Sequence, residues 1–324
     1  MPANLTPQYL EADRKFKAAT TLQDKLAALE EMLATIPKHK GTDRMQGDLK
    51  RRIAKLRDQM QRQKKSGGRG RPFFHVEREG AGQVVLVGPP NAGKSALLRA
   101  LTNAQPEIAA YPFTTRAPLP GMMAYENVQV QLVDLPPITP DATEGWLYGI
   151  IRTADAAALV VDLATDDVLS QTERVQALLD QAKLALVGTP TAPHHKRALA
   201  VANKLDAPGA PERLALMRDF LRETLPLYAV SATHGTGLEA LRRAFFELLG
   251  VVRVYSKPPG RKVDTSTPFI LKRGSTVMQA AQAIHKDFVA KLKFARLWGK
   301  DEYQGQMVGR DHVLEDGDVI ELHA

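Results

Sequence analysis

The sequence contains no cysteine, few aromatic residues and no long apolar run. The absence of cysteine excludes disulfides and thiolate metal sites, and it permits a reducing compartment. No apolar stretch approaches the roughly 18 residues that a membrane span needs, and the N-terminal MPANLTPQYLEADRKFK lacks the apolar core of a signal peptide. We therefore expect a cytoplasmic protein with no membrane partner. The adjacent His194 and His195 lack the helical spacing of metal ligands.

The chain of 324 residues, 44% of them hydrophobic, is long enough for two or three globular domains. Its 44 basic and 36 acidic side chains give a net charge of +8. Segment 38–71, the basic arm, holds thirteen lysines and arginines against three aspartates, which is a local charge of +10. This concentration favours a nucleic-acid partner held by phosphate contacts without base readout, the alternative being a solvated helix face.

Apolar periodicity predicts helices in the N-terminal segment. Leucine, isoleucine and methionine recur at steps of three and four over 22–36 and 49–60, which predicts a helical hairpin with Thr42 as an N-cap. The stretch SGGRGRP at 66–72 has the composition of a flexible linker.

The rest of the chain reads as two further domains. Between 72 and 250, short apolar β-branched runs alternate with helical stretches, which indicates a mostly parallel sheet covered on both faces. From 251 to 324, strands surround one helix, predicted from Thr276 to about Leu292, and this pattern indicates a small α+β domain.

The stretch GPPNAGKS matches G-x-x-x-x-G-K-[ST] and lies between a predicted strand and a predicted helix, as the phosphate-binding loop requires. Its backbone amides and the helix N-terminus surround phosphates, Lys94 places a positive charge near the β and γ oxygens, and Ser95 offers a hydroxyl to Mg²⁺. The predicted ligand-binding residues of this loop are Gly88, Asn91, Ala92, Gly93, Lys94 and Ser95.

The stretch NKLD at 203–206 follows a predicted strand and favours guanine. Asp206 can accept from the ring N1–H and the exocyclic amine of guanine, whereas adenine has no N1–H and an ATPase is therefore disfavoured. Asn203 is expected to hold the base edge, and Lys204 to lay its stem across the ring. In SAT at 231–233, Ser231 begins the loop and the Ala232 amide is expected to meet the guanine carbonyl.

The ordered set GPPNAGKS, YPFTT, DLPP, NKLD and SAT resembles the Obg-type GTPases. The basic arm and the tail HVLEDGDVIELH narrow the resemblance to the developmentally regulated GTP-binding proteins, over about residues 5–324, and the tail is similar to a TGS domain. The resemblance implies an α/β P-loop GTPase domain with a mostly parallel, doubly wound sheet. It also implies an N-terminal helical hairpin and a C-terminal β-grasp α+β domain, with domains at 1–71, 72–250 and 251–324.

The resemblance also assigns roles around the phosphates. Thr115 of YPFTT is the expected switch threonine that reaches Mg²⁺ and the γ-phosphate, with Thr114 as the alternative. Asp134 is expected to hold Mg²⁺ through water. Lys94, Thr115 and Asp134 form the predicted catalytic set, and Asn91 matches the position of a K⁺ ligand in potassium-stimulated members of the class.

One position departs from the family. Where the family has Asp-x-x-Gly, this chain has Pro137, which carries no backbone N–H, and Ile138 follows it with no polar side-chain atom. Slow GTP hydrolysis by a ribosome- or RNA-associated switch is therefore expected, with an accessory protein as a further candidate partner. The alternative is an RNA- or ribosome-binding module that binds guanine nucleotide with little or no hydrolysis.

Overall fold

The computed structural model of the protein describes residues 7–18, 22–36, 45–53, 74, 76–102, 117–140, 143–260, 263–285, 292–299 and 304–323. The chain divides into two compact units, Met1–Arg71 and Pro72–Ala324, and each is described by itself. The predicted cap Thr42, the linker 66–72, and both switch threonines, Thr114 and Thr115, lie outside the described residues.

The first unit contains three described helices, α1 (Pro7–Ala18), α2 (Leu22–Thr35) and α3 (45–53). They share one apolar core, made by Tyr9, Ala12, Leu29, Met32, Ile36, Leu49 and Ile53. The two predicted helical seams supply four of these side chains, Leu29, Ile36, Leu49 and Ile53. The prediction of a two-helix hairpin was incomplete, because α1 also contributes to the core through short apolar steps between charged residues.

The second unit begins with an α/β domain built on a seven-stranded sheet. Its elements are β1 (Gln83–Val87), α4 (Lys94–Leu101), β2 (Leu119–Tyr125), β3 (Val128–Asp134), α5 (Gly145–Thr153), β4 (Ala156–Asp162), α6 (Val168–Gln181), β5 (Ala185–Val187), β6 (His195–Asn203), α7 (Ala210–Leu221), β7 (Leu227–Ala229) and α8 (Leu238–Leu249). The strand order is β2-β3-β1-β4-β6-β5, and β7 also pairs with β6.

Every strand pair in this sheet is parallel except β2 with β3. Helices α5, α6 and α7 contribute to the apolar core on one face, and α4 and α8 contribute to the core on the other. All residues of β1 and β4 are buried, which explains why these strands read as continuous apolar runs. The predicted doubly wound, mostly parallel sheet is confirmed.

The chain ends in a five-stranded sheet with one described helix. Its elements are β8 (Val251–Ser256), β9 (Phe269–Lys272), α9 (Val277–Ile284), β10 (Phe294–Trp298), β11 (Gln304–Val308) and β12 (Asp318–His323), in the order β11-β10-β12-β8-β9. Only β12 and β8 pair in parallel. The predicted α+β domain is confirmed, but the helix predicted from Thr276 to about Leu292 ends at Ile284, because the backbone is extended at His285; residues 286–291 lie outside the described residues.

A polar cluster joins the β2–β3 turn to this second sheet. Arg253 of β8 donates from Nε and Nη2 to the two carboxylate oxygens of Asp316, at 3.0 and 2.7 Å, and it also pairs with Glu126 in the turn. Next to Glu126, Asn127 donates to the Tyr255 hydroxyl at 2.6 Å. The turn that connects β2 with β3 is therefore fixed to the C-terminal domain by charge-assisted hydrogen bonds.

Candidate functional site

The phosphate-binding loop follows β1, which is buried between β3 and β4, and α4 begins at Lys94. Two of its glycines are required by close approaches. A Cβ on Gly88 would lie 2.3 Å from the Val160 carbonyl oxygen, and one on Gly93, which has φ 86°, would lie 2.3 Å from Asn203 Nδ2. The glycines thus let the loop lie directly on the carboxyl ends of β4 and β6.

Lys94 is the buried cation of this loop, with 7% of its surface exposed. Its Nζ donates to the carbonyl oxygens of Gly88 at 3.2 Å and Pro89 at 3.0 Å. Burial lowers the pKa of Lys94, and the negative charge of Asp134 partly opposes this shift. A phosphate oxygen would be a stronger partner for this ammonium than the two carbonyl groups that now hold it.

Asp134 ends β3 and lies beside Ser95, whose hydroxyl donates to Oδ2. The other carboxylate oxygen, Oδ1, is buried and has no hydrogen-bond partner among the described residues. Burial raises the pKa of Asp134, although Ser95 and Lys94 act in the opposite direction. A buried carboxylate oxygen without a donor, beside a hydroxyl, fits the oxygen ligands that Mg²⁺ prefers.

These groups line one cavity of about 520 Å³. Its walls include Asn91, Gly93, Lys94 and Ser95 from the loop and its helix, Ala117 and Leu119 from the start of β2, and Asp134, Pro136 and Pro137 from the segment after β3. The predicted phosphate loop, two of the predicted magnesium residues, Ser95 and Asp134, and the departure at Pro137 therefore face the same space. Thr115 is outside the described residues, but Ala117, two residues later, lines the cavity.

Asn203, at the end of β6, links two loops. Its Nδ2 donates to the Ala92 carbonyl oxygen at 3.1 Å, and its Oδ1 accepts from the Ala232 backbone N–H at 3.1 Å. Asn203 is 2% exposed. The base-edge role expected for Asn203 and the guanine contact expected for the Ala232 amide stay predictions, and in the structure these two groups bond to each other. Their geometry fits a role in positioning the loops.

The remaining predicted base-binding residues lie around this link. Lys204, with φ 64°, donates from Nζ to Asp162 Oδ2 at 2.6 Å. Asp206 is exposed, and a hydrogen bond from Ser231 lowers its pKa, with a smaller contribution from His234. Asp206 is therefore ionised at neutral pH and presents an acceptor carboxylate beside the loop of Ser231.

Comparisons with known proteins match both domains of the second unit. The model of the 50S ribosome-binding GTPase family matches residues 83–204, and that of the TGS domain matches residues 252–324. A GTP-binding protein of Methanocaldococcus jannaschii is 32% identical over alignments that cover 93% of this chain and 92% of the relative. Developmentally-regulated G-protein 1 of Arabidopsis thaliana is 28% identical, with 92% and 90% covered. The chain belongs to the developmentally regulated GTP-binding protein family.

A solved structure supports the fold of this family member. The YchF GTPase of Schizosaccharomyces pombe aligns with a TM-score of 0.50, covering 77% of this chain and 100% of that one, at 14% sequence identity. At this identity the similarity concerns the fold alone. The resemblance inferred from the five ordered motifs and the tail is confirmed by the full-length relatives.

In this member of the developmentally regulated GTP-binding protein family, sequence reasoning missed two residues that shape the site. Asp162, which holds Lys204, ends β4 directly beside Asn203 in the parallel register. Its position after an apolar strand could have identified it. For Ile138, noted from the sequence only for its lack of a polar side-chain atom, the missed feature is structural: the side chain is buried in the core and the N–H donates to the Gly88 carbonyl oxygen at 3.1 Å.

Two other features bear on the sequence predictions. The rings of His194 and His195 pack edge to face at 4.5 Å, and no cluster of three potential metal-ligating histidines or carboxylates occurs in the part of the chain that is described. Among the helices of that same part, none is both long and apolar enough to cross a membrane.

Proposed function

We propose that the protein binds and hydrolyses GTP and acts as a switch on the ribosome or a ribosomal RNA, in translation or in ribosome assembly. The observation that carries this proposal is the shared cavity in which the buried Lys94 ammonium, the Ser95 hydroxyl and the unpaired oxygen of Asp134 meet. Family membership and the match to a 50S ribosome-binding GTPase model support the nucleotide and the partner.

The loop provides the contacts for the phosphates. Its backbone amides and the N-terminus of α4 receive the phosphate oxygens, and Lys94 exchanges its two carbonyl partners for the β and γ oxygens. Ser95 and Asp134 are the residues that would hold Mg²⁺, Asp134 through water and, with GTP bound, Thr115 as the third group. When bound, the ion neutralises charge that develops on the transferred phosphoryl group.

The guanine is read by the ionised Asp206 carboxylate, which accepts from the two N–H donors of the base edge. Lys204, whose Nζ is held by Asp162, is expected to lay its stem across one face of the ring. Asn203 keeps the phosphate loop and the Ala232 loop at a fixed separation. This division of roles predicts strong preference for GTP over ATP and a loss of that preference in Asp206→Asn, which cannot accept from both donors.

Intrinsic hydrolysis is expected to be slow. The segment after Asp134 lacks a donor at Pro137, and the following residue, Ile138, uses its N–H on the phosphate loop and buries its side chain. Neither residue offers a polar side-chain group or a free N–H to orient the attacking water. We propose that a cation at Asn91, a switch residue or a group from the bound partner supplies this function.

An alternative function follows from the same segment. The protein would then be an RNA- or ribosome-binding module that holds guanine nucleotide with little or no hydrolysis. Phosphate release at saturating GTP, measured with and without ribosomes, separates the two. Release that rises on ribosome addition favours the switch, whereas release at the level of a Lys94→Ala variant under both conditions favours the binding module.

The basic arm provides the expected contact with RNA. On α3, Lys50, Arg51 and Arg52 are exposed while Leu49 and Ile53 are buried in the helical core. Burial of the apolar stripe leaves the basic residues on the solvent side of the same helix. This arrangement suits sequence-independent phosphate contacts, and their affinity should fall steeply with salt.

Two experiments test the proposal. In a titration with fluorescent GTP, Lys94→Ala is expected to abolish tight binding, while Arg218→Ala, at an exposed arginine of α7, should bind as the unsubstituted protein does. Unchanged affinity in Lys94→Ala would remove the nucleotide assignment. Co-sedimentation with ribosomes in GDP, GTP and a non-hydrolysable analogue, repeated without residues 1–71, tests the partner, and a profile independent of nucleotide would contradict the switch.

A further inference from the structure

A second cavity, of about 900 Å³, lies at the opposite edge of the parallel sheet from the phosphate loop. Its walls come from the residues just before β1 and β4, the start of β6, the end of α8, and β8 with β9. Because the strands are parallel, their first residues lie at one edge and the nucleotide motifs follow their last residues at the other. The five residues of β1 separate the two edges by roughly 16 Å. We call this cavity the junction groove.

Three exposed cations line the junction groove from two domains. Arg197 belongs to β6, Lys272 is the last residue of β9, and Arg273 follows it in the TGS domain. None of the three forms an ion pair with any described residue. They therefore present net positive charge from both walls. Because all three side chains are exposed, they stay hydrated and their charged forms carry little desolvation penalty.

The acidic side chains of the groove are already paired. Asp155 accepts from Arg78 at 2.9 Å and from the Gln83 backbone N–H at 2.9 Å. Glu247 accepts from Arg243 at 2.8 Å. These carboxylates are neutralised by partners of their own, so they do not cancel the charge of the three exposed cations.

Lys196 is a different kind of cation in the same wall. Its Nζ donates to the carbonyl oxygens of Arg152 at 2.8 Å and Ala154 at 2.6 Å, and burial lowers its pKa. Lys196 therefore holds the start of β6 against the end of α5. We exclude it from the ligand-binding set, which leaves Arg197, Lys272 and Arg273.

The composition of the walls indicates the kind of anion. Among the described residues that line the junction groove there is no phenylalanine, tyrosine or tryptophan, and the ring of its one histidine, His195, packs against His194 and accepts from the Thr191 backbone N–H. Unpaired bases therefore have little aromatic surface to stack on there. Exposed cations on two walls suit a ligand with repeated negative charges, and the backbone of helical RNA is read mainly through phosphates and shape. We propose that the junction groove binds the phosphate backbone of a structured RNA. This inference rests on the RNA partner of the proposed function and names a second contact besides the basic arm.

The position of the groove has a functional consequence. RNA bound there lies at the sheet edge away from the phosphate loop, so it does not occlude nucleotide entry. RNA and GTP can therefore be held at the same time. Because Arg197 is in the GTPase domain and the other two cations are in the TGS domain, the RNA contacts both domains of this unit.

The test uses the full chain and an RNA duplex of about 20 base pairs, longer than the roughly 16 base pairs spanned by a double-stranded RNA-binding domain. Binding is followed by fluorescence anisotropy over a KCl series. The groove variant is Arg197→Ala/Lys272→Ala/Arg273→Ala. The control removes three exposed arginines of α6, α7 and the end of α7, as Arg174→Ala/Arg218→Ala/Arg222→Ala. Each lost phosphate contact lowers the slope of log affinity against log salt by about 1.

The groove variant is expected to lower that slope by roughly 2 to 3, while the control changes it little. GTP affinity and thermal midpoint should be the same in both variants, and Arg273→Glu alone should weaken duplex binding more than Arg273→Ala. Equal slopes in the groove variant and the control would refute RNA binding in the junction groove and leave the proposed function intact. Absence of salt-dependent RNA binding by the unsubstituted protein would overturn both. Tighter binding to single-stranded RNA than to duplex would overturn the structured-RNA ligand.

Discussion

Restoring a backbone N–H at residue 137 should increase the preference of the protein for GTP over GDP. Pro137 lines the phosphate cavity with Asp134, and the next amide, that of Ile138, is already bonded to the Gly88 carbonyl oxygen. A hydrogen bond to a charged group contributes about 1.5–3 kcal/mol. At about 1.4 kcal/mol per factor of ten, an amide directed at the γ-phosphate would raise the ratio of the two affinities roughly 10- to 150-fold.

Two substitutions separate the amide from chain flexibility. Pro137→Ala supplies the N–H with little added freedom, and Pro137→Gly supplies the N–H with more. Competition of GTP and GDP against a fluorescent guanine nucleotide gives the ratio, and a phosphate-release assay gives the turnover. If only the glycine variant changes the ratio, flexibility is the cause. If neither variant changes the ratio or the turnover, the missing donor has no role and the reasoning from Pro137 is refuted.

Three further predictions concern stability, nucleotide binding and domain contact. Because burial raises the pKa of Asp134, the ionised carboxylate lowers the free energy of unfolding once the pH rises above that pKa. Asp134→Asn should therefore raise the thermal midpoint of the nucleotide-free protein at neutral pH, by an amount that shrinks as the pH falls, while lowering Mg²⁺-dependent GTP affinity. Asn203→Ala removes the partners of the buried Ala92 carbonyl oxygen and of the partly buried Ala232 N–H. Urea unfolding should therefore give a free energy of unfolding lower by roughly 2–4 kcal/mol, together with weaker GTP binding. Arg253→Met leaves the carboxylates of Asp316 and Glu126 without their cationic partner, so the free energy of unfolding should fall by about 2–3 kcal/mol. GTP affinity should not change, and urea unfolding together with a nucleotide titration would check both expectations.

The parts of the fold that sequence could predict are those with strong local patterns. The strands β1 and β4 are apolar at nearly every position because both sheet faces are covered, and their alternation with helices fixes the parallel arrangement. By contrast, β2 contains Pro120 and Gly121, which weaken any strand pattern, and it forms because it can pair at the sheet edge with the buried β3. That pairing depends on the neighbouring strand rather than on the local sequence.

The same distinction applies to the candidate site. The phosphate loop could be predicted because its residues are contiguous and each has a chemical reason to be there. The role of Asn203 could not, because its partners Ala92 and Ala232 are 111 and 29 residues away in the chain. A motif of four residues predicts which side chains stand at a loop but not which hydrogen bonds they form. The side-chain amide of Asn203 forms its hydrogen bonds with the protein backbone.

The segment after Asp134 is anchored more firmly than its sequence indicates. The N–H of Leu135 donates to the Leu86 carbonyl oxygen at 3.3 Å, and the N–H of Ile138 donates to the Gly88 carbonyl oxygen at 3.1 Å, one on each side of the two prolines. Moving this segment would break the second bond, at about 0.5–1.5 kcal/mol, and would expose the Ile138 side chain, at about 1.5–3 kcal/mol. The midpoint of this total, roughly 2–4.5 kcal/mol, lies above that of the roughly 1.5–3 kcal/mol that one bond to a γ-phosphate could supply. A ligand shifts an equilibrium only by its difference in affinity for the two states. We therefore infer that GTP alone leaves this segment in place, and that a switch in this protein needs the additional binding energy of its partner.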